Sequence, residues 1–136
     1  MKIPLIDRSN YFRGLLLLIR KDRKVENPEI QLMKQIGKTL GFEPAFCENA
    51  ITSILENKYI LDEAPSFTSV EVAEKFIEDG LYLAFSDGEI HPLEEEWLKD
   101  AAEKNGIDLN SFNEMKKKFN QKNSVTYKMN IDDFTV

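Results

Sequence analysis

The chain has 136 residues, one cysteine, one histidine and a net charge of −6, from 18 Lys+Arg against 24 Asp+Glu. That length predicts one domain able to bury a core without disulfide, haem or structural zinc, and a lone cysteine excludes an intramolecular disulfide. The acidic balance argues against a polyanion binder and so against nucleic acid as a partner, while 42% hydrophobic and 31% charged residues argue against global disorder.

The first apolar run, Gly14–Ile19 (GLLLLI), is too short to span a bilayer, which needs about 20 residues. Arg13 precedes it, Arg20 and Lys21 follow it, and there is no small-residue cleavage site. The expectation is a cytoplasmic chain with no membrane insertion. The run belongs instead to a first helix over about 9–22, too continuously apolar for a surface helix. Asn27-Pro28 reads as N-cap plus first-turn proline of a second helix, about 28–40, with Ile30, Met33, Gly37 and Leu40 on one face and Gly41 as its stop. A third helix opens at Glu43-Pro44 and carries Phe46, Ala50, Ile51 and Ile54.

After a connector over 57–67, Thr68 and Glu71 have capping-box spacing. They head a helix over about 69–86 that buries Val72, Phe76, Ile77, Leu81 and Ala84. Pro92 opens the fifth helix, with Leu93, Trp97, Leu98 and Ala101 inward and Gly106 at its end. Phe112, Met115 and Phe119 mark a sixth over about 109–121. The fold class is therefore all-α, with six principal helices as two three-helix units, about 9–57 and 69–122, in one domain, 1–123. Residues 124–136 form an extended C-terminal arm. There Val125, Tyr127, Met129 and Ile131 alternate with polar residues, the period of a strand. Lys58–Leu61 is its nearest candidate strand partner. The arm either packs on its own domain or offers an edge to another chain, a second copy in a homodimer included.

The two units repeat at an offset of 65, which lays residues 12–42 over 77–107 without a gap. Leu16/Leu81, Leu18/Leu83, Asp22/Asp87, Glu29/Glu94, Lys34/Lys99 and Gly41/Gly106 are identical, and eight more pairs are apolar on both sides. The repeat singles out four carboxylates: Asp22, Glu29, Asp87 and Glu94. Each Asp falls at the end of a unit's first helix and each Glu in the first turn of its second. If the units pack about a pseudo-twofold axis, all four could converge, and converged carboxylates repel unless they share protons or bind a cation. Oxygen ligands of this kind suit Ca²⁺, Mg²⁺ or Mn²⁺. The alternative needs no ion, because a first-turn Glu is stabilised by the helix dipole and Asp87-Gly88 is an ordinary turn pair. An EF-hand is excluded: Phe85 and Leu83 stand where its loop needs oxygen ligands.

Residues 81–108, LYLAFSDGEIHPLEEEWLKDAAEKNGID, resemble the signature of the TerB-like domains, named for a tellurite-resistance protein. The shared pattern is an apolar helix, Asp-Gly, an acidic residue and Ile, a Glu on the next helix and a closing Gly. Residues 15–43 look like a degenerate copy that keeps Asp22 and Glu29 but has Arg23 in place of the motif's Gly. The resemblance covers about residues 9–121. It implies an all-helical domain with pseudo-symmetric halves, a bacterial cytoplasmic setting and an association with stress resistance. It also implies an acidic metal site, which maps to Asp87 and Glu94 and, less closely, to Asp22 and Glu29.

Other constellations carry less. Cys47 sits beside an apolar helix face as a small buried residue, and His91 before Pro92 reads as a cap or a surface residue, so the two make no nucleophile pair. The basic clusters at residues 20–24 and 116–118 lie near helix C-termini, which the dipole favours. Gly14 and Gly80 sit inside helices, where close helix approach would offset their cost. The expected function is a non-enzymatic, stress-associated binding protein with a divalent-cation site at the inter-helix turns. The alternative is a metal-free interaction module that uses its acidic surface or the arm residues Val125, Tyr127, Met129 and Ile131 to hold a protein partner.

Overall fold

Among the described residues six helices form: α1 (Leu5–Arg20), α2 (Asn27–Thr39), α3 (Pro44–Glu56), α4 (Val70–Ala84), α5 (Pro92–Lys104) and α6 (Leu109–Asn120). The computed structural model describes residues 1–21, 26–57, 59, 62–86, 88–120 and 127–135. Each helix of the second unit begins 65 residues after its counterpart in the first, so the repeat in the sequence is also a repeat of helix boundaries. Among the described residues no helix is long and apolar enough to cross a membrane.

The devices at the ends of α2 and α5 repeat as well. Both helices close in a Schellman motif: Phe42 N–H donates to Gly37 O and Ile107 N–H to Ala102 O, each at 2.9 Å. Gly41 and Gly106 supply the left-handed residue, with φ of 89° and 82°. Two caps differ from expectation. The α2 N-cap is Glu26, one residue before Asn27. Ser69, not Thr68, caps α4, accepting from Val72 N–H at 3.2 Å. The reason is Asp7, in the first turn of α1 and fully buried. Its carboxylate accepts the Thr68 N–H at 2.9 Å and also the Thr68 hydroxyl, leaving the cap to the next residue.

Helix α1 is the core. Tyr11, Phe12 and Leu15–Ile19 are all buried, and α2, α3, α4 and α5 all pack against it. It starts at Leu5, earlier than the apolar run suggests, because Pro4 holds an extended N-cap backbone. Its crossing with α4 is reciprocal under the 65-residue shift. Tyr11 reaches Asp79, while Phe76, the counterpart of Tyr11, lies over Gly14, the counterpart of Asp79. The glycines permit the approach: a Cβ on Gly14 would stand 2.6 Å from Phe76 Cζ, and one on Gly80 would stand 2.7 Å from Leu98 Cδ2.

The described part of the C-terminal arm is not the alternating strand that its period suggests. Residues Asn130–Asp133 make a single 3-10 turn, and one parallel bridge joins Lys2 to Thr135. The cause is Asp79, a fully buried carboxylate in the middle of α4. It accepts the Tyr11 hydroxyl at 2.6 Å, the Tyr127 hydroxyl at 2.7 Å, and the N–H groups of Asn130 at 2.8 Å and Ile131 at 3.3 Å. Two consecutive N–H groups aimed at one carboxylate require a turn. Of the expected strand pairing with Lys58–Leu61, only Tyr59 is described, and it is exposed; the other three residues lie outside the described residues.

Burial raises the Asp79 pKa to about 6, against the four hydrogen bonds that pull it down. In the unfolded chain it titrates near the usual 3.8, so the folded state holds the extra proton between those values. Stability contributed at this site is therefore full at low pH and is lost as pH rises toward about 6. Urea unfolding should show that the stability of wild type relative to Asp79→Asn falls by about 2 kcal/mol from pH 4 to pH 7; a constant difference would place the carboxylate in a solvated setting. Gly80→Leu should destabilise by about 1–3 kcal/mol through overpacking against Leu98 and Leu18, and an unchanged melting temperature would contradict the close approach.

Candidate functional site

The carboxylates singled out by the repeat divide into two groups. Asp22 and Asp87 lie outside the described residues. Glu29 and Glu94 are each the third residue of a capping box, at the same place in α2 and α5. Glu29 Oε1 accepts the Glu26 N–H at 3.4 Å, and Glu94 Oε1 accepts the His91 N–H at 3.1 Å. His91 completes its box, its Nδ1 accepting from Leu93 N–H at 3.1 Å. Both glutamates thus satisfy N–H groups that a helix start leaves open. Among the described residues, no group of three or more His, Cys, Asp or Glu side chains could hold a metal ion.

Of the arm residues, Met129 and Ile131 are buried on the chain's own core. Tyr127 packs against Tyr82 and Phe119, with ring centroids 4.9 and 5.0 Å away, and hydrogen-bonds Asp79. Val125 lies outside the described residues. The described arm therefore packs in cis. Cys47 is buried against Gly37, and its burial pushes the thiol pKa up, away from nucleophilic use. Lys116, Lys117 and Lys118 each face an acid: Glu95, Glu114 and Glu78. That pairing suits a solvated helix end better than a phosphate-binding stripe.

The site that emerges is a groove of about 920 Å³ between the two units. One wall is the face of α5 formed by Leu93, Glu96, Trp97 and Asp100, at positions i, i+3, i+4 and i+7. The other is made by Ile30 of α2 with Leu55 and Glu56 of α3. Arg20, Lys21 and Asp62 complete the lining. Arg20 donates to Ile54 O at 2.9 Å and Asn57 O at 3.2 Å, and it pairs with Asp62; Lys21 Nζ stands 2.8 Å from the other Asp62 oxygen. Partial burial pushes the Asp62 pKa up, but the hydrogen bonds and charges of Lys21 and Arg20 outweigh it and hold it below the usual range. The Trp97 indole N–H donates to Asp62 O at 2.7 Å, so the connector is fastened to the groove by side chains of both units.

The sequence pattern places Leu93 inward, but it is 46% exposed, because it projects over the groove rather than into the core. A smaller cleft of about 280 Å³ shares Ile30, Leu55 and Glu56 and continues along the α2–α3 seam to Ile51. Periodicity alone could have marked the α5 face, since Glu96 and Asp100 flank Trp97 on one side of the helix. Asp62 could not have been found that way, since it lies in a connector without periodicity.

Capping and cation binding make different predictions for Glu94. A capping glutamate tolerates Glu94→Gln, which still accepts a hydrogen bond, while Glu94→Ala costs about 1 kcal/mol. Thermal melts with Ca²⁺, Mg²⁺ and Mn²⁺ should leave both effects unchanged. A metal-dependent rise of several degrees that Glu94→Gln abolishes would instead identify a cation ligand. Compared with known proteins, the chain matches no family model, no curated protein and no solved structure.

Proposed function

We propose that this chain is a non-enzymatic, TerB-like binding protein that holds a protein partner in the groove between its two helical units. The observation that carries the reading is that groove. Four apolar side chains, Ile30, Leu55, Leu93 and Trp97, line an open trough between α5 and the α2–α3 pair, and apolar lining gathered in one groove is the pattern of an interaction surface. The TerB-like part of the proposal rests on the motif in residues 81–108 and on the matching caps of α2 and α5. The capping geometry of Glu29 and Glu94 is why partner binding leads over a divalent-cation site at the turns. Binding rather than catalysis fits the groove's chemistry. Its one indole N–H and its two cations are already engaged by Asp62 and by carbonyl oxygens, and among the described residues that line it no Ser, Thr, Cys or His stands beside its carboxylates as a nucleophile or proton-transfer partner.

A photo-crosslinking amino acid at position 93, compared with the same residue at Leu109, tests the assignment in cells that make the protein. Leu109 is 51% exposed and does not line the groove. Discrete protein adducts at 93 and none at 109 are the expected result, and identical adduct patterns at both positions would refute a groove-specific partner.

A further inference from the structure

We infer that the occupant of the groove is a cationic amphipathic helix of a partner protein, an inference that rests on the groove being the binding surface. The charge around the apolar floor selects the sign. Glu56, Glu96 and Asp100 are exposed at the groove, and none of them makes an ion pair among the described residues. The two cations that line the groove are committed to Asp62 and to backbone carbonyls. Among the described residues, the charge left for a partner to meet is negative, on a chain whose net charge of −6 also draws cations to it at long range.

The walls select the secondary structure. Most of the lining comes from helix faces, and among the described residues the only β pairing is the isolated Lys2–Thr135 bridge. Neither Lys2 nor Thr135 lines the groove. An extended peptide laid in the trough would bury its backbone N–H and C=O groups without ladder partners, which is costly. A helix satisfies those groups internally and presents an i, i+3/i+4, i+7 stripe instead. The large groove and the smaller cleft share Ile30, Leu55 and Glu56, so a single stripe can set one anchor beside Leu93 and Trp97 and the next along the α2–α3 seam. Lysines or arginines flanking that stripe meet Glu96 and Asp100 on one side and Glu56 on the other.

Trp97 is the chain's single tryptophan and lines the groove, so its emission is one readout of occupancy beside a labelled peptide. The probes are a designed Leu/Lys amphipathic helix, a Leu/Glu helix with the same apolar stripe, and a scrambled Leu/Lys peptide that has no stripe. Each is titrated into the full chain at ~0.15 M salt and followed by Trp97 emission and by anisotropy of the labelled peptide. The Leu/Lys helix should bind at least tenfold more tightly than either other peptide. The double variant Glu96→Lys/Asp100→Lys should weaken it at least tenfold. Glu74→Lys/Glu103→Lys, which changes net charge equally at exposed positions outside the groove, should weaken it less than threefold. Unchanged melting curves establish that both variants are folded. Equal weakening by the two double variants would overturn the inference in favour of non-specific charge attraction. Preference for the Leu/Glu helix, lost in Leu93→Asp, would overturn the cationic assignment and leave the groove as the binding surface. Failure of every peptide to bind by either readout would overturn both.

Discussion

Burial of α1 on every side from Gly14 to Ile19 is the constraint from which the rest of the architecture follows. A stretch with Gly14 and Leu15–Ile19 all hidden has no face to give to water, so other helices must enclose it. The α2–α3 pair and the α4–α5 pair do so, each amphipathic and each packed on the other member of its pair. The glycines at 14 and 80 set how near α1, α4 and α5 can come. Tyr11 sits at the focus: its ring meets Phe67, Phe76 and Phe134 edge-on at 5.2–5.9 Å, and its hydroxyl ends on Asp79. Aromatic packing and one charge-assisted hydrogen bond thus converge on a single side chain.

The same enclosure produces the groove. Two helical pairs laid against one central helix meet imperfectly near its C-terminal end, where Arg20 and Lys21 emerge. The connector crosses there, and Asp62 pairs with both cations while its carbonyl accepts the Trp97 indole N–H. The polar contacts that close the fold at this point also fix the end of the trough. The groove is therefore built from the junction between the units, and neither unit alone contains both of its walls.

Much of this architecture is legible in the chain because its signals are local. Proline at the starts of α2, α3 and α5, glycine after α2 and α5, and apolar spacing of three and four residues place the helices to within a few positions. The buried carboxylates are harder to read. Asp79 lies among Val72, Phe76 and Leu83 on an apolar stripe of α4, where it could pass for a surface residue. Its role depends on Tyr11, Tyr127 and the turn at Asn130, which are distant in sequence. The same turn shows why alternation in the arm misleads: period two is also what results when Met129 and Ile131 are pulled inward beside a hydrogen-bonded turn. The site was least legible of all. Glu29 and Glu94 stand out because they repeat, yet their geometry answers a helix-start requirement. Leu93, Glu96 and Asp100 do not repeat across the units, and their importance comes from facing α2 and α3 across the gap.

Asp79 has one further consequence through the turn that it holds. The Met1 amino group donates to Asp133 O at 3.0 Å, and Thr135 N–H donates to Met1 O at 2.7 Å. Residues 1 and 135 are neighbours in space, so the backbone path is nearly a closed ring. A domain of this shape can be spliced into a surface loop of a host protein, where the host chain leaves and returns at almost the same point. It can equally be reopened elsewhere, with old ends joined by a short linker and new ones cut at an exposed position such as Tyr59. The core around α1 would be unchanged, and the order in which the two units emerge from the ribosome would be rearranged.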